Sequence, residues 1–213
     1  MNGTARITDE MSLQRLRMVE RLREHYRISD ERVLEAMLSI PRHLFVPEGI
    51  KSQAYNDNAL PIAAGQTISQ PFIVARMTEL LELKGAEKVL EIGAGSGYQT
   101  AVLASLARKV FAIERLDALE REAEERLISL GYRNIVMKSA DGTTGWDTYK
   151  PYDAILVAAG GPEVPEPLVE QLKVGGKLVI PIGEDQKAQE LVRVTRTEAR
   201  TKVENFGPCA FVP

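Results

Sequence analysis

The chain has 213 residues, with 27 lysines and arginines against 30 aspartates and glutamates and a net charge of −3. That length predicts one domain with small additions, able to bury about 70% of its unfolded surface without a disulfide or metal staple. The near-neutral charge argues against a nucleic-acid backbone as main partner, and no run of roughly eighteen apolar residues offers a membrane span, so a soluble cytoplasmic protein is expected.

Residues 11–27 carry Leu13, Leu16, Val19 and Leu22 at helical spacing, which predicts an amphipathic helix with its arginines on a solvated face. Ser29-Asp30 predicts the cap of a second helix bearing Val33, Met37 and Leu38, which ends before Pro41. His25 and His43 have no companion ligand at metal spacing and read as ordinary polar residues. Residues 41–70 lack periodicity and hold Pro41, Pro47, Pro61, Gly49 and Gly65. Long irregular stretches inside compact domains are often functional loops. Thr67-Ile-Ser-Gln-Pro71 closes the stretch and opens a helix with Ile73, Met77, Leu80 and Leu81 on its apolar face. Ser69 or Gln70 then reads as that helix's N-cap, which from local pattern is a better account of Ser69 than catalysis.

Residues 88–92 read as a buried strand, with Gly93, Gly95 and Gly97 at the next alternate positions and a helix over 99–107. Strand, glycines and helix in that order form the nucleotide-binding corner of a doubly wound α/β fold. Glycines let a ligand lie against the main chain, and the helix start offers unpaired N–H groups. A dinucleotide fingerprint sets its third glycine three places after the second, where this chain has Tyr98. The strand over 110–113 ends in Glu114, about twenty residues past the loop, where an acid can accept both hydroxyls of a ribose. An adenosine ligand without a pyrophosphate fits, which points to S-adenosylmethionine. A glycine triplet alone is equally a tight turn, and Glu114 alone a solvated strand end; their conjunction carries the reading.

The remainder alternates. Residues 116–130 predict a helix stopped by Gly131, and 134–137 a third strand with Ala140-Asp141-Gly142 at its end. Residues 152–158 have the apolar run of a strand covered on both faces. Gly160-Gly-Pro162 turns into a helix over 164–172, and Gly175-Gly176 opens a strand over 177–180. Residues 191–194 and 201–211 predict a terminal antiparallel pair, with Cys209, the only cysteine, a small apolar residue in the last strand. Asp141 can accept from an adenine amino group while Gly142 leaves room for the ring, or the two form a β-turn dipeptide; their place at a strand end favours the site. The predicted class is an α/β, Rossmann-like doubly wound sheet with an N-terminal helical addition. One domain spans 1–213, with helices and substrate loop over 1–70 and the cofactor-binding core and C-terminal strands over 71–213.

The chain resembles the protein-L-isoaspartate O-methyltransferases. The resemblance rests on Asp57 with Leu60-Pro-Ile62, on Gln66-Thr-Ile-Ser-Gln-Pro71, on Val89-Leu-Glu-Ile-Gly-Ala-Gly-Ser-Gly-Tyr98 and on Pro151-Tyr-Asp-Ala154. Gly175-Gly-Lys-Leu-Val-Ile-Pro-Ile-Gly183 and Phe211-Val-Pro213 also fit, so it runs from about Leu13 to the last residue. The glycine motif is shared by many methyltransferases; the Thr-Ile-Ser-Gln-Pro segment is far more specific. The resemblance implies seven strands, the last of them antiparallel. It implies methyl transfer from S-adenosylmethionine to the free carboxylate of L-isoaspartyl residues in damaged proteins and peptides, followed by closure to a succinimide. It implies that Ser69 is catalytic. Ile68, Gly93, Gly95, Ser96, Gly97, Glu114, Asp141 and Gly142 would bind the cofactor, and Thr67, Ser69 and Val212 the substrate. A monomer that uses no metal and engages neither nucleic acid nor membrane is expected. An acceptor carboxylate is already ionised at neutral pH and needs no general base, so a hydroxyl that aims it suffices. The family pattern continues past Phe-Val-Pro with a leucine, whereas this sequence ends at Pro213. The glycine motif by itself also fits a methyltransferase of small molecules or RNA bases, or a nucleoside-binding module without catalysis.

Overall fold

The computed structural model describes residues 11–184 and 188–211. Helix α1 (Ser12–Glu24) buries Arg15, Met18, Val19 and Leu22, while Leu13 and Leu16 are 54% and 41% exposed. The predicted stripe is therefore rotated. Spacing establishes that a helix has an apolar face, but its phase follows the neighbours it meets, which here are α2 (Glu31–Ser39) and α3 (Pro71–Leu81). Asp30 caps α2 as predicted, its carboxylate accepting from the Arg32 and Val33 N–H groups at 3.0 and 3.4 Å. The arginines do not all face solvent: Arg15 and Arg42 are buried. A long aliphatic stem can carry a guanidinium inward where oxygen acceptors await it.

Residues 41–70 contain three short 3₁₀ turns and a hairpin of two-residue strands, β1 (Leu60–Pro61) and β2 (Thr67–Ile68). The remaining strands form one sheet: β3 (Lys88–Ile92), β4 (Lys109–Glu114), β5 (Ile135–Ser139), β6 (Tyr152–Val157), β7 (Leu172–Ile182), β8 (Gln189–Arg196) and β9 (Thr201–Cys209). Its order is β5-β4-β3-β6-β7-β8-β9, parallel through β7. The strand that reverses is β8, and β9 turns back antiparallel to it. The terminal pair is thus antiparallel as its pattern predicts, but the next-to-last strand, not the last, opposes the parallel five.

Apolar residues alternate across the sheet. Val89, Val110 and Ala154 face α1 through α5, while Leu90, Phe111 and Ile155 face a second core closed by Leu168 and the 146–149 turn. Helices α4 (Tyr98–Leu106) and α5 (Asp117–Ser129) match the sequence within about two residues, the usual scatter of helix ends. The helix predicted over 164–172 shortens to α6 (Glu166–Glu170), because β7 already begins at Leu172. Tyr152 pairs with Leu172 and Ala154 with Lys177, so the intervening residues bulge outward through Gly175 at φ +84°. The Gly-Gly pair marks a bulge inside that strand rather than its start.

The chain runs β3 to β4 to β5 toward one edge and then returns to place β6 on the other side of β3. Such a switch in strand order opens a crevice beyond the carboxyl ends of the two central strands. The glycine loop follows β3 at that point.

Candidate active site

The loop after β3 is made of backbone. Gly93, Gly95 and Gly97 have φ of +84°, +52° and +85°, the left-handed region that a side chain disfavours. The Gly93 N–H reaches the Ile113 carbonyl at 2.8 Å, tying the loop to the end of β4. A Cβ on Gly97 would stand 3.2 Å from Leu127, so that glycine also lets α4 approach α5. Ser96 is buried; its hydroxyl accepts from the Tyr98 N–H at 3.3 Å, and its carbonyl accepts from Arg126 at 2.8 Å.

Glu114 ends β4 and holds the loop from the side. Its two oxygens accept from the Gly95 N–H at 2.8 Å and the Leu116 N–H at 3.0 Å. Each oxygen retains a further acceptor direction. One strand over, Asp141 begins a 3₁₀ turn over Gly142–Thr144, Oδ1 accepting from the Thr143 N–H and hydroxyl at 2.9 and 2.8 Å. Those bonds hold its carboxyl below the usual range, the backbone bond most of all. The turn and the strand-end placement are both realised. Gly142 also has a packing reason: a Cβ there would lie 2.2 Å from Ile92 Cγ2, so the space a side chain would take is already filled by the end of β3.

Beneath the loop, Glu91 is 0% exposed, with the buried Thr100 hydroxyl as its polar neighbour. Burial pushes its carboxyl up to about 8 against the lowering influence of the Thr100 hydroxyl, with the Glu114 charge adding a smaller upward push.

The segment 41–70 reaches the crevice at Ser69. Gln70, not Ser69, is the N-cap of α3, and its side chain makes no cap bond. Asp57 supplies the cap from across the segment, Oδ1 accepting the Phe72 N–H at 3.1 Å and Oδ2 the Gln70 amide at 3.0 Å. The capping explanation for Ser69 therefore falls away. Its hydroxyl has no hydrogen-bond partner among the described residues, while its carbonyl accepts from Arg42 at 2.8 Å.

Two cavities meet there. A narrow one of about 30 Å³ is lined by Thr67, Ile68, Ser69, Gly93, Gly95 and Ser96. A groove of about 400 Å³ is lined by Tyr26, Ser69, Phe72, Ile73, Cys209 and Phe211, with Tyr26 and Phe72 stacked at 4.2 Å. Thr67, Ser69 and Ala158 line both. Glu114 and Asp141 stand at the neighbouring strand ends and line neither; Val212 lies outside the described residues.

Sequence reasoning missed Asp57 as a cap, Arg42 as a buried tie, and the stacked pair beside Ser69. All act across long stretches of chain and leave no local periodic signal. Burial raises the Cys209 thiol to about 11, with Glu190 adding to it, in keeping with a packing residue on the groove wall. His43 pairs through Nδ1 with the Tyr55 hydroxyl at 2.7 Å. Among the described residues no three His, Cys, Asp or Glu side chains gather as metal ligands would, and no helix is long and apolar enough to cross a membrane.

A glycine loop of this spacing at the switch point, with an acid ending the next strand, defines the S-adenosylmethionine-dependent methyltransferase class of Rossmann-like folds. Comparison with known proteins narrows the class. The chain matches the family described as Protein-L-isoaspartate(D-aspartate) O-methyltransferase (PCMT) over residues 13–213, and it belongs to that family. A Protein-L-isoaspartate O-methyltransferase of Syntrophus aciditrophicus is 55% identical over 207 residues, covering 96% of this chain and 94% of the relative. A solved protein-L-isoaspartate O-methyltransferase superposes with a TM-score of 0.84 at 29% identity, covering 93% of this chain; this chain spans 65% of that one. A putative one from Plasmodium falciparum, solved in complex with S-adenosyl-L-homocysteine, has a TM-score of 0.80 at 25% identity and covers 93% of this chain and 96% of its own.

Proposed function

We propose that this protein transfers the methyl group of S-adenosylmethionine to the free carboxylate of an L-isoaspartyl residue in damaged proteins and peptides, initiating repair through a succinimide. The observation that carries the reading is the Ser69 hydroxyl, without a partner among the described residues, where the glycine-loop cleft opens into the larger groove. Family membership and the activity named for its relatives support the substrate.

The residues present fit the cofactor. The glycine loop offers backbone without a Cβ at alternate positions, where Gly93, Gly95, Ser96 and Gly97, with Ile68 opposite, would hold its methionine end. Glu114 would accept from the ribose, and Asp141, with Gly142 beside it, would hold the adenine. When bound, the cofactor supplies a methyl already activated by a sulfonium.

What is left to the chain is placement. The acceptor carboxylate carries its charge at neutral pH, and no side chain has to remove a proton. The Ser69 hydroxyl donates to one carboxylate oxygen and leaves the other facing the narrow cleft. Thr67 stands beside it, and Val212 would contact the substrate from the C-terminal end. Alignment of this kind lowers a barrier by several kcal/mol, on the order of what intramolecular positioning achieves. The groove walls are largely apolar, so a peptide can lie along them while its one charged group enters at Ser69.

The same reading has residues 1–213 acting as one domain, as a monomer in the cytoplasm and without nucleic acid. The small net charge of −3 supports the last point. The test is to incubate the protein with methyl-labelled S-adenosylmethionine and paired peptides that differ only in an isoaspartyl or aspartyl link. Label confined to the isoaspartyl peptide is expected; equal labelling of both, or of neither, contradicts the proposal.

A further inference from the structure

Arg42 is 0% exposed, and among the described residues no carboxylate lies within ion-pair distance of it. Removing a guanidinium from water without a counter-charge is unfavourable by several kcal/mol, so its contacts must offset that. Its Nε donates to the Ala54 carbonyl at 2.7 Å and its Nη2 to the Ser69 carbonyl at 2.8 Å. Its guanidinium carbon lies 4.8 Å from the centre of the Tyr98 ring. These three contacts tie the segment 41–70 to the helix behind the glycine loop. Ala54 lies within the irregular segment, Ser69 stands at the junction of the cavities, and Tyr98 begins the helix that follows the glycine loop.

Among the described residues the Ser69 carbonyl has no other hydrogen bond. The α3 ladder closes on the Gln70 carbonyl, which takes the Val74 N–H at 3.1 Å, and leaves Ser69 outside it. Phe72 N–H goes to Asp57. Ser69 thus sits one residue before the helix N-cap, its hydroxyl without a partner among the described residues, and Arg42 holds its backbone from the protein interior. A planar fork with fixed donor directions can hold two carbonyls at a set angle while stacking on a ring; an ammonium cannot do all three.

We propose that Arg42 is a positioning residue for methyl transfer: by fixing the Ser69 backbone against Tyr98, it sets where the Ser69 hydroxyl stands between cofactor cleft and substrate groove. The inference rests on the reading of Ser69 as the group that orients the substrate carboxylate. If Arg42 were only core packing, its loss would lower melting temperature without singling out kcat.

The experiment compares Arg42→Lys, Ser69→Ala and the double variant, with Arg42→Met as a second substitution at the buried site. Each is assayed at a temperature where circular dichroism shows it folded. The measurements are kcat and peptide KM at saturating S-adenosylmethionine, and S-adenosylhomocysteine affinity by calorimetry. Arg42→Lys is expected to lose kcat by on the order of tenfold to a hundredfold, the scale of a misplacement of about 1 Å, while product affinity changes far less. Most of that loss should vanish on the Ser69→Ala background, where no hydroxyl remains to be misplaced. Unchanged kcat in folded Arg42→Lys and Arg42→Met overturns the inference, and so do losses that multiply in the double variant. Unchanged kcat in Ser69→Ala alone overturns instead the reading of Ser69 on which it stands.

Discussion

The glycine loop and the segment 41–70 face each other across the crevice, and they are held by different means. The loop is fixed within its own neighbourhood: positive-φ glycines, N–H groups on the Ile113 carbonyl, and Glu114 one strand away. The segment has almost no regular structure, and hydrogen bonds between residues twelve or more positions apart hold it. Arg42 reaches Ala54 and Ser69, Asp57 caps α3, and Arg15 approaches the Tyr55 hydroxyl at 3.4 Å. One region presents backbone to a ligand common to many enzymes; the other presents a single hydroxyl to a particular acceptor. The part that distinguishes substrates is also the part that lacks local reinforcement.

That contrast sets expectations for substitutions on the two sides. Ser69→Ala removes one donor aimed at the reacting group. It should lower kcat by on the order of a hundredfold, the scale that misplacing a reacting group by about 1 Å can cost. Calorimetry with S-adenosylhomocysteine should find its binding nearly unchanged, because the cleft wall is otherwise intact. Equal losses in rate and affinity would place Ser69 with the loop, as a structural residue, and erase the distinction.

Glu114→Gln tests the opposite wall. It replaces charge-assisted acceptors, worth roughly 1.5–3 kcal/mol each, with weaker ones. Affinity for S-adenosylhomocysteine should fall by on the order of tenfold or more, with peptide KM little altered at saturating cofactor. If affinity stays at the wild-type level, the bonds to the Gly95 and Leu116 N–H groups are all that the carboxylate does.

A further expectation, for stability and not for rate or affinity, lies under the loop. Glu91 is raised to about 8, far above its ordinary value of 4.5, so the folded protein keeps a proton that the unfolded chain has released between those limits. Stability from that neutral carboxyl is fully present below the unfolded value and is lost as pH rises toward 8. Glu91→Gln, neutral throughout, should flatten the decline of melting temperature between pH 5 and 8 relative to wild type. Parallel melting curves across that range for the two proteins would show that Glu91 does not titrate there.

The sequence by itself determined the strand–glycine–helix corner, the acid ending the next strand, the turn at Asp141, the cap at Asp30 and the paired final strands. Each is specified by residues within a few positions of one another or by a period of two or three to four, so local stereochemistry suffices. Tertiary structure decided the phase of α1, the bulge inside β7, the packing of Gly142 on Ile92, and which strand runs against the rest. It also decided the meaning of Ser69. Local pattern offered Ser69 or Gln70 as the cap; Gln70 takes that position, Asp57 supplies the bonds, and the Ser69 hydroxyl is left with no partner among the described residues. Hydrogen bonds between distant residues follow from the assembled shape, and no short window of sequence contains it.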